Sequence, residues 1–385
     1  MSESFTQPLL GTGGIVFMGI YLLSLIGIGL VGRMAQKETS LVDFYLAVRG
    51  MGIFVLFLTL YATQYSGNTL IGFAGRAYRN GFSALVTVLF MSSIIGAYLL
   101  YAPRLFRLSK EHGFITIGDF IQHRYQSNRL TLTISILAIL ALGNYILTNL
   151  KAIGFIVTAT TGGAIPFSQG IIVLSLIMVI YETLGGMRSV AWTDVVQGVL
   201  LILGVFLIFI TIHGHYGGLE NAEESLRKIR PDFYDPLTLK EILTWVSTMT
   251  IVFFGISIYP HAIQRIYAAK DEKTLKRSFQ IMVFMPLVTT FFMVYVGIVG
   301  ASQFPGLNQG KSEQITLLML NDLSQNIPWI SWLLILFISA AVAAVMSTVD
   351  SALLAISSLA TQDFYRRIHP NSNQKKLTYI GKVTS

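Results

Sequence analysis

Nine stretches of this chain are apolar over a length that crosses a bilayer, at roughly 13–32, 52–75, 83–103, 130–158, 167–183, 189–212, 243–263, 279–301 and 329–360. About 20 residues at 1.5 Å each span the hydrocarbon core, so each stretch predicts a membrane helix and together they predict an all-α, polytopic transmembrane bundle. Two of the nine break the apolar pattern. Residues 338–363, ISAAVAAVMSTVDSALLAISSLATQD, carry Ser347, Thr348, Asp350 and Ser351. Polar groups in hydrocarbon are costly and mark function. Ser347 and Ser351 share a helical face and Thr348 lies roughly 100° round, so hard oxygens converge on a volume suited to a small cation. The alternative is that Ser347 and Thr348 bond back to the carbonyls of Ala343 and Ala344.

The second interruption is Leu58 to Gly75, LTLYATQYSGNTLIGFAG, where Gly67, Gly72 and Gly75 accompany Thr63, Gln64, Ser66, Asn68 and Thr69 at about mid-depth. Unwound backbone there is tolerated only where it lines a cavity or is buried in protein. Helices broken this way offer carbonyls to sodium and helix ends to substrate. Small residues for close helix packing are the blander explanation.

Composition agrees with the pattern. Apolar residues are 53% of the 385, charged ones 12%, and the mean hydropathy is +0.64, whereas soluble domains carry about 25% charge. The net charge of +8 is a topology signal: segments 33–49, 102–129, 184–190, 264–277 and 364–385 hold 19 of the 27 Lys and Arg, the alternate segments 7, and Lys151 lies within a span. The positive-inside rule then predicts an external N-terminus and a cytoplasmic C-terminus in a cell membrane, here a bacterial inner membrane. No basic residue precedes the first span, which is therefore expected to be retained rather than cleaved as a signal peptide. Without cysteine there is neither disulfide nor thiolate metal site. No basic recognition fold points to nucleic acid. The loops 213–242 and 302–328 are too short for a core of their own, leaving one transport domain.

Other motifs are weaker. Gly27-x-Gly29-x-x-Gly32 fits a dinucleotide fingerprint but lies inside a span with no preceding strand, so it reads as helix packing. His213 and His215 have no third ligand nearby and read as an interfacial pair. No Ser, His and Asp grouping suggests a nucleophile, and no enzyme is expected. Lys151 is the one Lys or Arg deep in a span, near Asn144, Tyr145 and Asn149; it either meets a substrate carboxylate or snorkels to the interface.

The two interrupted spans, with YETLGGMRSVAWTDVVQG (181–198), YPHAIQRIYAAKD (259–271) and TQDFYR (361–366), occur in one order that resembles the sodium:solute symporters of the leucine-transporter (LeuT) fold. The resemblance runs from about Leu41 to Arg367. It implies sodium as coupling ion, held by the carbonyls of Ala62, Tyr65 and Ala344 and the hydroxyls of Ser347 and Thr348. It implies a second sodium at Asp194 and Ser351, with Asp350 where other members use a hydroxyl; the alternative for Asp194 is a helix cap or a pair with Arg188. The expected substrate residues are Gln64, Asn68, Thr69, Asn144, Lys151 and Tyr259. Pro260 and His261 ahead of Arg265 look more like the proline, pantothenate and monocarboxylate branches than the sugar branch, which implies a carboxylate-bearing solute.

The resemblance also implies two inverted five-helix repeats. After a leading span and loop (1–50), the chain supplies the first repeat (51–212), a partial second (243–363) and a basic tail (364–385), so it reads as lacking helices of the second repeat. The expected activity is sodium-driven symport by a single copy. The alternatives are a membrane sensor module and a non-transporting fragment.

Overall fold

The computed structural model describes residues 9–385. In chain order the helices are α1 (Thr12–Met34), α2 (Leu41–Leu46), α3 (Ile53–Gln64), α4 (Gly67–Leu70), α5 (Gly72–Asn80), α6 (Val86–His112), α7 (Ile117–Tyr125), α8 (Asn128–Thr160), α9 (Phe167–Gly185) and α10 (Met187–Tyr216). They continue with α11 (Gly218–Ile229), α12 (Leu239–Gly255), α13 (Pro260–Ala268), α14 (Glu272–Met282), α15 (Phe291–Gln303), α16 (Gln309–Ser312), α17 (Ile315–Asn326), α18 (Ile330–Leu359), α19 (Arg366–Ile368) and α20 (Gln374–Thr384). Among the described residues the one extended contact is an isolated bridge between Met51 and Ala269.

Seven helical segments among the described residues are long and apolar enough to cross a membrane, and the pair α12 and α13, bent by 53°, makes an eighth. The ninth predicted span is α3 to α5. The stretch from Gly72 to His112 is 41 residues, about twice what a bilayer needs, and it turns at Gly81, where φ is +56°. Only glycine fits there, because a Cβ would stand 2.3 Å from the Phe233 ring.

Burial separates scaffold from core. The apolar window of α18 is 83% buried, that of α8 only 17%. A helix that is apolar all round and buried is a central one, so α18 is the axis against which α3, α8, α10 and α13 pack. The glycine stripe of α1 does serve packing: a Cβ at Gly29 would lie 2.6 Å from that of Tyr181, and one at Gly32 would lie 2.3 Å from Ser189 Oγ. His213 is held by Tyr295, Nδ1 to hydroxyl 2.7 Å, consistent with a structural histidine.

The end of the bundle that carries α2, α7 and α14 is tied by polar contacts. Asp363 accepts from Thr116 Oγ1 at 2.7 Å and Ser135 Oγ at 2.6 Å. Arg49 donates to the carbonyl of Phe114 at 2.7 Å and to Ser109 Oγ at 3.1 Å. To reach them, three consecutive non-glycine residues, Ala47, Val48 and Arg49, adopt φ of 49°, 56° and 53°. Each left-handed residue costs about 1–2 kcal/mol, so this turn just ahead of α3 stores strain that the surrounding contacts offset.

Candidate cation site and substrate cavity

The second predicted span is broken where its glycines and hydroxyls gather. The ladder of α3 ends when the Tyr65 amide bonds to the Tyr61 carbonyl at 3.0 Å; Tyr65 (φ −103°, ψ 96°) and Ser66 (φ −85°, ψ 177°) are extended. A helix end leaves its last carbonyls without amide partners, so those from Ala62 onward are free to turn toward a cation. The break lies against α18. A Cβ on Gly67 would meet Val345 Cγ2 at 2.3 Å, so only a glycine lets the backbone come this close, within a turn of Ser347 and Thr348.

Both hydroxyls are fully buried. Ser347 Oγ donates to Asp194 Oδ1 at 2.5 Å, and Thr348 Oγ1 donates back to the Ala344 carbonyl at 2.9 Å. Back-bonding therefore describes Thr348 and not Ser347. It does not remove either as a ligand: a hydroxyl has one proton to donate and two lone pairs to offer, and the donation fixes where those lone pairs point. The Tyr145 phenol on α8 faces the hydroxyls of Thr348 and Ser66, joining this position to the neighbouring cavity.

Asp194 is fully buried, but its partner is Arg265. Nη2 of Arg265 donates to Asp194 Oδ2 at 2.9 Å and also to Ser351 Oγ; Nε donates to Thr59 Oγ1 at 2.9 Å and Nη1 to the His261 carbonyl at 3.1 Å. Thr59 in turn donates to Asp194 Oδ2, and Ser351 to the Ser347 carbonyl at 2.5 Å. Arg188, the alternative partner for Asp194, instead holds Asp43 at 2.8 Å. Asp350 turns toward α9, accepting from the Tyr181 hydroxyl at 2.5 Å, with Ser351 Oγ at 3.3 Å from its other oxygen.

The sequence reading uses Arg265 only as the end of the Pro260-His261 motif, and the charge count assigns it to a basic loop. It is the largest fully buried side chain among the described residues. Its placement follows from the second break: Pro260 starts α13 at a position where its missing N–H costs nothing. Arg265, further along this nine-residue helix, faces the bundle interior. Moving it out leaves eighteen Lys and Arg on the basic side against seven, so the topology signal survives.

A cavity of about 1000 Å³ adjoins the break. Gln64, Ser66, Thr69, Tyr145, Asn149, Tyr259 and His261 line it, and it extends to α16 at the α11 end. Gln64, Thr69 and Tyr259 are thus where a substrate role needs them, while the side chain of Asn68 lies outside the described residues. Lys151 and Asn144 require correction. They share a face, as their spacing of seven predicts, but it is an exposed one, and neither lines the cavity. The face of α8 that does so carries Tyr145, Asn149, Ala152 and Ile156 at helical spacing. His261, read in the sequence as part of the Pro260-His261 motif and given no site role there, is buried, stacks parallel on Tyr145 with centroids 6.0 Å apart, and its Nδ1 has no partner among the described residues.

Comparison with known proteins agrees with this arrangement. The sequence model described as the sodium:solute symporter family matches residues 44–385. The sodium/pantothenate symporter of Haemophilus influenzae is 29% identical over 371 residues, covering 94% of this chain and 75% of that protein. The high-affinity proline transporter PutP of Bacillus subtilis is 29% identical over 364 residues, covering 92% and 75%. A solved sodium-coupled sialic acid symporter, in a substrate-bound outward-open state, matches with a TM-score of 0.80 over 97% of this chain and 78% of that one; at 19% identity it supports the fold alone. The relatives are transporters, and their family implies sodium as coupling ion and a small solute as cargo. The chain is a multi-pass membrane protein that belongs to the sodium:solute symporter family.

Proposed function

We propose that this chain carries a small carboxylate-bearing solute into the cell together with sodium, by alternating access, with the α11 and α16 end outside and the C-terminus in the cytoplasm. The observation that carries this reading is the break at Tyr65 and Ser66, which lies against α18 within a turn of Ser347 and Thr348 and lines the cavity through Ser66. Sodium at Ala62, Tyr65, Ala344, Ser347 and Thr348 would hold the two halves of the broken span against α18. It would thereby order the wall of the cavity that substrate meets, which is the physical content of coupling.

Solute class rests on the lining and on the relatives. Pantothenate and proline both bear a carboxylate. With Lys151 outside the cavity, hydrogen-bond donors would receive it: Asn149, Tyr145, Tyr259, Thr69 and the His261 imidazole, whose Nδ1 has no partner among the described residues. The cavity is at the upper end of the size range for small-molecule sites. Toward the α2, α7 and α14 end the bundle is tied by the Arg49 contacts, the stacked pair Tyr98 and Phe279 at 5.1 Å and the Arg265 ion pair. Counterflow of labelled proline, pantothenate and short monocarboxylates in proteoliposomes tests the proposal. Sodium-dependent exchange of at least one acid is expected, and no exchange of any, with and without sodium, refutes it.

A further inference from the structure

We propose that the outer surface shared by α6 and α14, at the basic end of the bundle, is a binding site for an anionic phospholipid. Its phosphate is held between Arg104 and Arg277, and its chains lie along the apolar side chains next to them. The site serves neither the solute nor the coupling ion, and it stands whichever way the chain is oriented in the membrane.

Two contacts fix the register of the helices, which pack side by side. Arg107 Nε lies 3.4 Å from Glu272 Oε2, and the rings of Tyr98 and Phe279 stack at 5.1 Å. A lower number on α6 thus pairs with a higher one on α14, so the two run antiparallel and rise together from the basic end toward mid-membrane. At 1.5 Å per residue Arg104 stands about 4.5 Å above Arg107 and Arg277 about 7.5 Å above Glu272, which brings the two guanidiniums to within about 3 Å of one level. Both point outward. Leu100, Arg104 and Arg107 follow one another on the exposed face of α6, and Lys273, Arg277 and Ile281 on that of α14. Farther into the membrane the surface is apolar and uncovered: Leu100 is 69% exposed and Phe284, just past α14, 63%. In a membrane-spanning bundle the neighbour of such side chains is an acyl chain.

The charges of the patch leave these two arginines free. Arg107 and Lys276 share Glu272, at 3.4 and 2.7 Å, and Lys110 donates to the Lys270 carbonyl at 2.8 Å. Asp271 caps α14, accepting from the Thr274 amide at 2.7 Å. Arg104 and Arg277 have no ion pair among the described residues. The guanidinium fork matches a phosphate two oxygens at a time. Every phospholipid has a phosphate, but the surrounding cations select the headgroup. Arg104, Arg107, Lys110, Lys273, Lys276 and Arg277 outnumber the carboxylates of Glu111, Asp271 and Glu272 by three, which repels the ammonium of a zwitterionic lipid and leaves an anionic one favoured. A topology signal needs positive charge on one side only; it does not need arginines from two helices level with each other beneath an apolar wall.

The test is the thermal unfolding of the delipidated full chain in detergent as phosphatidylglycerol, or phosphatidylcholine with the same chains, is titrated in. Phosphatidylglycerol is expected to raise the midpoint saturably, with half-saturation at a concentration at least tenfold lower than phosphatidylcholine. Arg104→Gln with Arg277→Gln should move that half-saturation up at least tenfold. Arg124→Gln with Arg129→Gln takes the same charge from exposed positions on α7 and α8 at the same end and should stay within twofold of wild type. An equal response of wild type to both lipids overturns the proposal, as does a phosphatidylglycerol response kept by the first variant or lost equally by the second. So does an equal response to glycerol 3-phosphate, which offers the phosphate without the chains. Should the first variant not fold, the wild-type preference between the two lipids decides alone.

Discussion

Replacing Ser347 by alanine removes one hydroxyl from the position where five oxygens are expected to hold sodium. The same change deletes the 2.5 Å hydrogen bond to Asp194, and both groups are fully buried. A hydrogen bond to a charged group contributes about 1.5–3 kcal/mol, and a ligand to an ion is of similar order, so sodium affinity should fall roughly 10- to 100-fold. The effect has to be separated from damage to the fold, and α18 supplies the control. Ser339 is also buried, and its hydroxyl donates only to the Ile335 carbonyl at 2.8 Å. Sodium-dependent thermal stabilisation in detergent reads the difference. At a concentration 100 times the wild-type Kd, bound sodium stabilises by about 2.7 kcal/mol; a 100-fold loss of affinity leaves about 0.4. Ser347→Ala and Thr348→Ala should lose most of the sodium-induced shift, while Ser339→Ala keeps it on a slightly lower baseline. Wild-type sodium shifts in both ligand variants would refute the site.

Lys151→Gln should leave substrate affinity and sodium dependence within about twofold of wild type, because the side chain is exposed on α8 and outside the cavity; radiolabel binding checks this, and loss of acid binding would put Lys151 back in the site. Val48→Gly should stabilise by about 0.5–1 kcal/mol, since glycine relieves about 1–2 kcal/mol of left-handed strain at φ 56° and adds about 0.5–1 of unfolded-state entropy. A lower thermal midpoint would show that the turn is not strained.

The features legible in the sequence are the ones carried by short-range signals. Apolar length gives the spans, and a spacing of three or four places Ser347, Thr348 and Ser351 together. The glycines from Gly67 to Gly75, gathered with hydroxyls at mid-depth, point to a break, with close helix packing as the alternative. What escapes is contact between distant elements. Asp194 and Arg265 lie 71 residues apart, and composition rules sort an arginine near a span end into a loop. Only the break at Tyr259, which turns α13 back toward the core, puts Arg265 at the centre. Lys151 shows the converse error. A charged residue within a span invites a functional reading, yet one step along the helix, about 100°, separates it from Ala152 on the cavity wall.

The number of sodium ions carried per cycle constrains the cargo. With 100 mV across the membrane and a tenfold sodium gradient, one sodium supplies about 2.3 plus 1.4 kcal/mol, or roughly 500-fold accumulation of a solute with no net charge. A monoanion carried with one sodium moves no net charge, so the electrical term vanishes and accumulation falls to roughly tenfold. A zwitterion such as an amino acid keeps its carboxylate for the donors around Asn149 and His261 and still uses the whole driving force. Coupling to one sodium alone would therefore favour zwitterionic over anionic acids as the solute worth concentrating. Proteoliposomes with an imposed potassium diffusion potential test this. Uptake of a zwitterionic substrate should rise steeply as the interior is made negative, and that of a monocarboxylate, if it is carried, should not respond. A monocarboxylate driven by voltage would demand a second cation, for which Asp194 and Ser351 are the expected ligands.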